Sequence, residues 1–443
     1  MSTPALAITS TRSDASRLPW YMEGIRFQLM VLAISFLVVF SRRPDALLNP
    51  QFVAEDGSVF FHDAYQLGLN SLLMTYGGYF HTLLRLTALF AQFFPLGYAP
   101  LIMNLAGITV QVLPANVFLS SRFSYIPLRI RLLAGLVYIG LPNSFEIHAT
   151  ATNLQWHLAL LASLLFLAGP ARTLGWRLFD GATLSLGCLT SPMIILLLPV
   201  AGLVWWNRRD NWSVASFAFL LPGAAIQAIT VLLHWHGRQV PHVNFAGQIV
   251  FDSGTIGANF HDFAAILGRQ VFFSSLLGVN TQRLLAPSHG QFVVEIICCA
   301  IGFAFLLYAL RYAPIELRLF ILFAYSVLSL ALINPLAGTP DHTQWYWLST
   351  PGCGNRYYFL PMLAFLASLF WTASCKTSPS VVRCIALALL LLLLPIGIYC
   401  DWRLPPLEDF QFVKFVRKFD SVPPGTTVLI PINPGWLMEL TRH

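Results

Sequence analysis

The chain has 443 residues, 56% of them hydrophobic and 10% charged, with a formal charge of +7. Soluble domains carry about 25% charged residues, so this composition excludes a soluble globular protein. Long unbroken apolar runs, such as "CIALALLLLLLPIGIYC" at 384–400, exclude a transmembrane β-barrel, whose strands alternate over roughly ten residues.

The first apolar run, 24–41, has no small-residue cleavage site after it and reads as an uncleaved first helix. Further runs close to the roughly 20 residues needed to span a bilayer are 98–120, 129–146, 153–170, 178–190, 192–207, 213–234, 291–310, 318–335, 357–373 and 383–400. The predicted fold is an all-α polytopic membrane protein with about 11 transmembrane helices. Interfacial helices are expected in a first outer loop, 42–97, with a second long outer loop at 235–290. Residues 1–400 form the membrane domain in this reading. Residues 401–443 form a small α/β outer tail, with "TTVLIPI" as a strand.

The stretch 78–95 holds His81 and Arg85 and decides the orientation. If it crossed, the basic clusters of every later loop would face outward, against the positive-inside rule. Left on the outer face, it puts Arg12, Arg17, Arg122, Arg131, Arg208 and Arg318 in the cytoplasm with the N-terminus, and the C-terminus outside. All eleven histidines, His236, His242 and His289 among them, then fall on the outer side or at outer helix ends. The basic residues between runs meet anionic lipid in the bilayer, and nucleic acid is not an expected partner. The seven cysteines show no metal-ligand spacing; Cys298 and Cys299 read as packing, and Cys353 and Cys400 could meet outside the membrane, with a disulfide there the less favoured reading.

Four constellations carry chemistry. In "QFVAEDGSVFFHDAY" (51–65), Asp56 or Ser58 could cap the following helix, but capping leaves Glu55 unexplained. Adjacent carboxylates suit proton abstraction from a hydroxyl or capture of a divalent cation. In "HATATNLQWHL", His148, Asn153, Gln155 and His157 suit a hydroxyl-rich ligand such as a sugar, against a reading as caps and anchors. In "GNRYYFLP", Arg356 is an arginine fork suited to phosphate, followed by Tyr357, against a reading as a snorkelling anchor. Asp262 with His261, and Asp341 with His342, are weaker pairs. Arg85, Arg269 and Arg283 are further outer cations read as structural, and loop 235–290 holds only Arg238, Arg269 and Arg283 as its arginines.

This order of parts, together with the "AEDG", "TNLQWHL" and "RYYFLP" segments, resembles the GT-C class of membrane glycosyltransferases, in a group of bacterial multi-pass proteins. The oligosaccharyltransferase signature "WWDYG" and a strict Asp-x-Asp are absent. The resemblance implies a glycosyltransferase of the bacterial plasma (inner) membrane, moving a hexosyl or pentosyl group from a polyprenyl-phosphate-sugar donor to a glycan or lipid acceptor on the extracytoplasmic face. It implies catalytic roles for Asp56 and Glu55. Substrate binding falls to Arg356, Arg85, Tyr357, His148, Asn153, Gln155 and His157. No metal ligands are assigned, and a magnesium or manganese ion is left open as cofactor. Rival readings are a polymerase or ligase of lipid-linked saccharides, a flippase for them, and a non-enzymatic scaffold. A flippase needs polar groups along a whole path, whereas Gln111, Asn116 and Gln227 are the few mid-span polar residues.

Overall fold

The computed structural model describes residues 24–234, 241–243, 249–251, 255–285, 291–335 and 342–443. Arg12, Arg17, His236, Arg238, His289, Asp341 and the side chain of His242 lie outside the described residues. The apolar runs are helical, because in hydrocarbon only bonds within the segment can satisfy the main chain. The helices are α1 (Ile25–Arg42), α2 (Thr82–Ala91), α3 (Ala99–Leu119), α4 (Leu128–Ile139), α5 (Leu154–Leu167), α6 (Leu174–Cys188), α7 (Met193–Arg208) and α8 (Asn211–Leu233). They continue with α9 (Phe260–Leu284), α10 (Gln291–Tyr312), α11 (Ile315–Ile333), α12 (Asn355–Ser374), α13 (Ser380–Cys400) and α14 (Phe412–Ser421).

Among the described residues, eight helices are long and apolar enough to cross a membrane, fewer than the expected count of about 11. Two differences explain this. The runs at 129–146, 153–170, 178–190 and 192–207 form helices of 12 to 16 residues. At 1.5 Å per residue these are about 18–24 Å long. In the other direction, α9 lies inside what reads as outer loop 235–290. Its most apolar window is 78% buried. It packs in protein rather than lipid, so Arg269, Gln270 and Ser274 interrupt its apolar run.

The stretch 78–95 forms the end of a hairpin and one short helix. Strands β1 (Thr75–Tyr76) and β2 (Tyr79–Phe80) turn through Gly77 and Gly78, both at positive φ, as two-residue hairpins require. Helix α2 has ten residues, about 15 Å, half a bilayer. Its first N–H groups donate to Leu189 O and Thr190 Oγ1, both at 3.0 Å, at the break between α6 and α7. Gln227 of α8 accepts from the Phe80 N–H at 3.2 Å. Gln111 and Asn116 likewise bind neighbouring segments, so all three mid-span amides are accounted for by packing.

The C-terminal tail, 401–443, does not stand apart. It holds α14 and the antiparallel pair β3 (Thr427–Ile432) and β4 (Trp436–Thr441). Val53 bridges to Asn433, and the Ala54 N–H donates to Asn433 O at 2.6 Å. Phe52 packs against Phe61 and Phe412, and Tyr65 against Phe419 and His443. The tail therefore clamps the segment that carries Glu55 and Asp56. The basic residues of the opposite face are also engaged. Arg122 forks onto buried Asp180 at 2.6 and 2.9 Å, and Arg208 closes the carbonyl end of α5. All seven cysteines are free thiols.

Candidate functional site

Three non-glycine residues with left-handed backbone border one region: Ala54 (φ 48°), Asn143 (φ 51°) and Ala149 (φ 55°). L side chains disfavour that conformation, and it persists only where the surroundings impose it. Asn433 O holds the Ala54 N–H, the Asp401 carboxylate holds the Asn143 N–H at 2.8 Å, and Gln111 Oε1 holds the Ala149 N–H at 3.0 Å. Each bent residue aims a neighbour inward: Glu55 and Asp56, Glu146, and Thr152.

Asp56 opens the helical turn Asp56–Phe61 and is fully buried. Its Oδ1 accepts from the Thr152 N–H (2.7 Å) and the Thr152 hydroxyl (2.5 Å). Its Oδ2 is buried with no hydrogen-bond partner among the described residues. Burial pushes the carboxyl up to about 7; the bonds from Thr152 oppose that shift, and the charge of Glu55 adds to it. Glu55 is half-buried and accepts from the Tyr76 hydroxyl at 3.2 Å.

The hairpin supplies the next wall. Tyr79 faces Tyr76 across it and accepts from Gln155 Nε2 at 3.2 Å. Burial raises its hydroxyl to about 12; Gln155 and Arg356 lower it, while Tyr357 and Glu55 raise it. Those opposing influences put Glu55, Arg356 and Tyr357 within electrostatic reach of one phenol. The Tyr79 ring lies 4.3 Å from that of His81, which burial drives down to about 3 and keeps neutral.

The third wall is the start of α12. Arg356 pairs through Nη1 with Glu146, and its backbone N–H donates to Glu146 Oε2 at 3.1 Å. Its guanidinium lies over the ring of Tyr357 at 4.9 Å. Tyr357 in turn meets Trp156 edge-on at 5.6 Å. Asn355 donates to Asn143 O at 2.9 Å, and Asn153 donates to Glu146 O at 2.8 Å, so both ends of the Arg356–Glu146 pair are fixed.

The structure thus gathers Glu55, Asp56, Gln155, Arg356 and Tyr357, with Asn153 supporting Glu146. Other expected residues serve elsewhere. His148 uses both ring nitrogens on Gln111 and Val39 O, and His157 uses both on Tyr138 and Ile147 O, which makes them ties between segments. Arg85 is buried against Asp63 at 2.8 Å and the ring of Phe60, one layer behind His81. The sequence reading missed Thr152, Tyr76, Tyr79, Trp156 and the role of Glu146.

Buried polar atoms without a hydrogen-bond partner among the described residues recur in these walls: Asp56 Oδ2, His81 Nδ1, Gln155 Oε1, Trp156 Nε1 and Asn355 Oδ1. A buried polar group without a partner costs about 1–3 kcal/mol. Several around one region fit a ligand rich in hydroxyls. Among the described residues, no group of three or more His, Cys, Asp or Glu side chains is placed to hold a metal ion.

No protein-family model and no curated protein matches the chain. Among solved structures, it is similar to the archaeal oligosaccharyltransferase AglB from Archaeoglobus fulgidus in complex with an inhibitory peptide and a dolichol-phosphate. The identity is 13%, with 91% of this chain and 59% of that chain covered and a TM-score of 0.41. The apo form of the Archaeoglobus fulgidus oligosaccharyltransferase gives 13% identity, the same coverage and a TM-score of 0.40. The form tethered to an acceptor peptide containing the NVT sequon gives 13% identity, 91% and 58% coverage and a TM-score of 0.39. The chain spans about three fifths of the length of these proteins.

Proposed function

We propose that this chain is a multi-pass glycosyltransferase of the bacterial inner membrane, with its N-terminus cytoplasmic. It would move a hexosyl or pentosyl group from a polyprenyl-phosphate carrier to a glycan or lipid hydroxyl on the extracytoplasmic face. The observation that carries this reading is Asp56: one carboxylate oxygen is anchored twice by Thr152, and the other is buried without a hydrogen-bond partner among the described residues. A general base needs that division, together with a proton affinity near working pH.

The acceptor hydroxyl gives its proton to Asp56 Oδ2 while its oxygen forms a bond to the anomeric carbon. The bond from that carbon to the phosphate oxygen breaks, and its electron pair leaves with the polyprenyl phosphate. A single displacement of this kind inverts the anomeric centre. Arg356, oriented by Glu146, stabilises the charge growing on the phosphate. Gln155 and Tyr79 orient sugar hydroxyls, and Trp156 with Tyr357 offers an aromatic face.

The test is sugar transfer in membranes containing the chain, supplied with radiolabelled polyprenyl-phosphate hexoses and pentoses. Label should pass to a glycan or lipid fraction, with one polyprenyl phosphate released per sugar. Absence of transfer from the whole donor panel, with the chain present at normal abundance, would remove this reading.

A further inference from the structure

An apolar cavity lies in the membrane region, between α4 and α5 on one side and α11 and α12 on the other. Its volume is about 340 Å³, and its walls include Ala134, Gly135, Leu164, Phe320, Leu366 and Ala367. At its inner end stands Tyr138, whose ring meets His157 and Phe359 at 6.0 and 6.1 Å. From Leu363, which also lines it, α12 climbs seven residues, about 10 Å, before reaching Arg356. The cavity therefore belongs to the membrane half away from the polar site.

Its mouth is formed by Tyr125, Pro127, Pro314 and Ser374, all exposed. One charged side chain, Glu316, belongs to the lining, and Arg208 pairs with it at 3.7 Å. The segments forming the mouth carry exposed Arg129 and Lys376 and half-buried Arg318. An apolar space of this size, if empty, forfeits dispersion contacts over its lining. Water finds few polar partners in it. A hydrocarbon chain fits the interior, and an anionic headgroup fits the basic rim.

We propose that this cavity binds one acyl chain of an anionic phospholipid, drawn from the leaflet opposite the polar site, with its phosphate at Arg129, Arg318 and Lys376. It is a lipid site separate from that of any sugar donor, and it does not depend on the proposed function. The small residues Gly135 and Ala367 leave the room that the chain occupies.

The full chain in phosphatidylcholine nanodiscs, given trace phosphatidylglycerol with a photoreactive acyl end, tests this. Adducts mapped by peptide mass spectrometry should fall on the cavity-lining residues of 130–138 and 363–371. Ala367→Trp should cut their yield at least about fivefold by filling the space. Unlabelled phosphatidylglycerol should compete about tenfold better than phosphatidylcholine. Adducts confined to bilayer-facing residues such as Leu133 and Leu322, and unchanged in A367W, would overturn the proposal. So would equal competition by the two lipids, or displacement by a polyprenyl phosphate and not by phosphatidylglycerol. The competition uses the unsubstituted chain and decides the matter even if A367W fails to fold.

Discussion

Thr152 donates to Asp56 Oδ1 twice, from its backbone at 2.7 Å and its hydroxyl at 2.5 Å, and so joins the first outer loop to the turn before α5. The carboxyl is at about 7 rather than its ordinary 3.8, chiefly through burial. Between those pH values the folded chain keeps a proton that the unfolded chain has lost. Its contribution to stability is therefore complete below about pH 4 and is lost as pH rises through about 7, by about 4 kcal/mol at ~1.36 kcal/mol per unit. The proposed transfer needs the ionised form, so activity should rise over the range in which stability falls. Melting curves and transfer rates from pH 5 to 8 check both, and Asp56→Asn should flatten the stability profile.

Two substitutions should move the acid limb in opposite directions. Thr152→Val removes a donor that favours the ionised carboxyl, so the midpoint should rise by about one unit, on the scale of a hydrogen bond to a charged group. Glu55→Gln removes a neighbouring negative charge, so the midpoint should fall. Shifts of the same sign in the two variants would contradict this electrostatic account.

Arg356→Lys keeps the charge but loses the planar fork that binds Glu146 while lying over Tyr357. Transfer should drop about 10²- to 10³-fold, the usual cost of removing one donor that stabilises a transition state. The rate should be normalised to folded protein in the membrane. His148 offers the contrast. Burial holds its ring well below its ordinary pKa, and both nitrogens tie segments together. His148→Ala should lower abundance and melting temperature, while the surviving folded protein keeps its turnover.

Gly107 of α3 sits against the turn that positions Thr152. A Cβ there would lie 2.6 Å from Thr150 O, a backbone atom that cannot swing aside. Gly107→Ala should cost about 1–3 kcal/mol and reduce transfer, although it lies one shell behind the site. A thermal-shift assay beside the transfer assay reads both effects.

The helical membrane class and most spans were legible because hydropathy reports contact with lipid directly. Helix α9 was not, because it packs in protein, where Arg269 and Gln270 have backbone carbonyls to bind. At the site, the acids and Arg356 stood out as charges in an apolar chain. Thr152 and Trp156 look ordinary in sequence, and their roles come from segments brought together by folding. Tyr76 and Tyr79 carried a local signal, since "TYGGYF" has the Gly-Gly turn of a short hairpin. His148 and His157 were drawn into the site by polarity alone, which does not distinguish a ligand contact from an internal tie.

The central claim is that Asp56 takes the acceptor's proton, and the most direct test is sugar transfer by Asp56→Asn at wild-type membrane abundance. Asn has nearly the same shape and can still accept from Thr152, but it cannot take a proton. Transfer should fall by at least about 10²-fold, the lower range for general-base catalysis, with donor binding retained. Transfer by Asp56→Asn at the wild-type rate would contradict it.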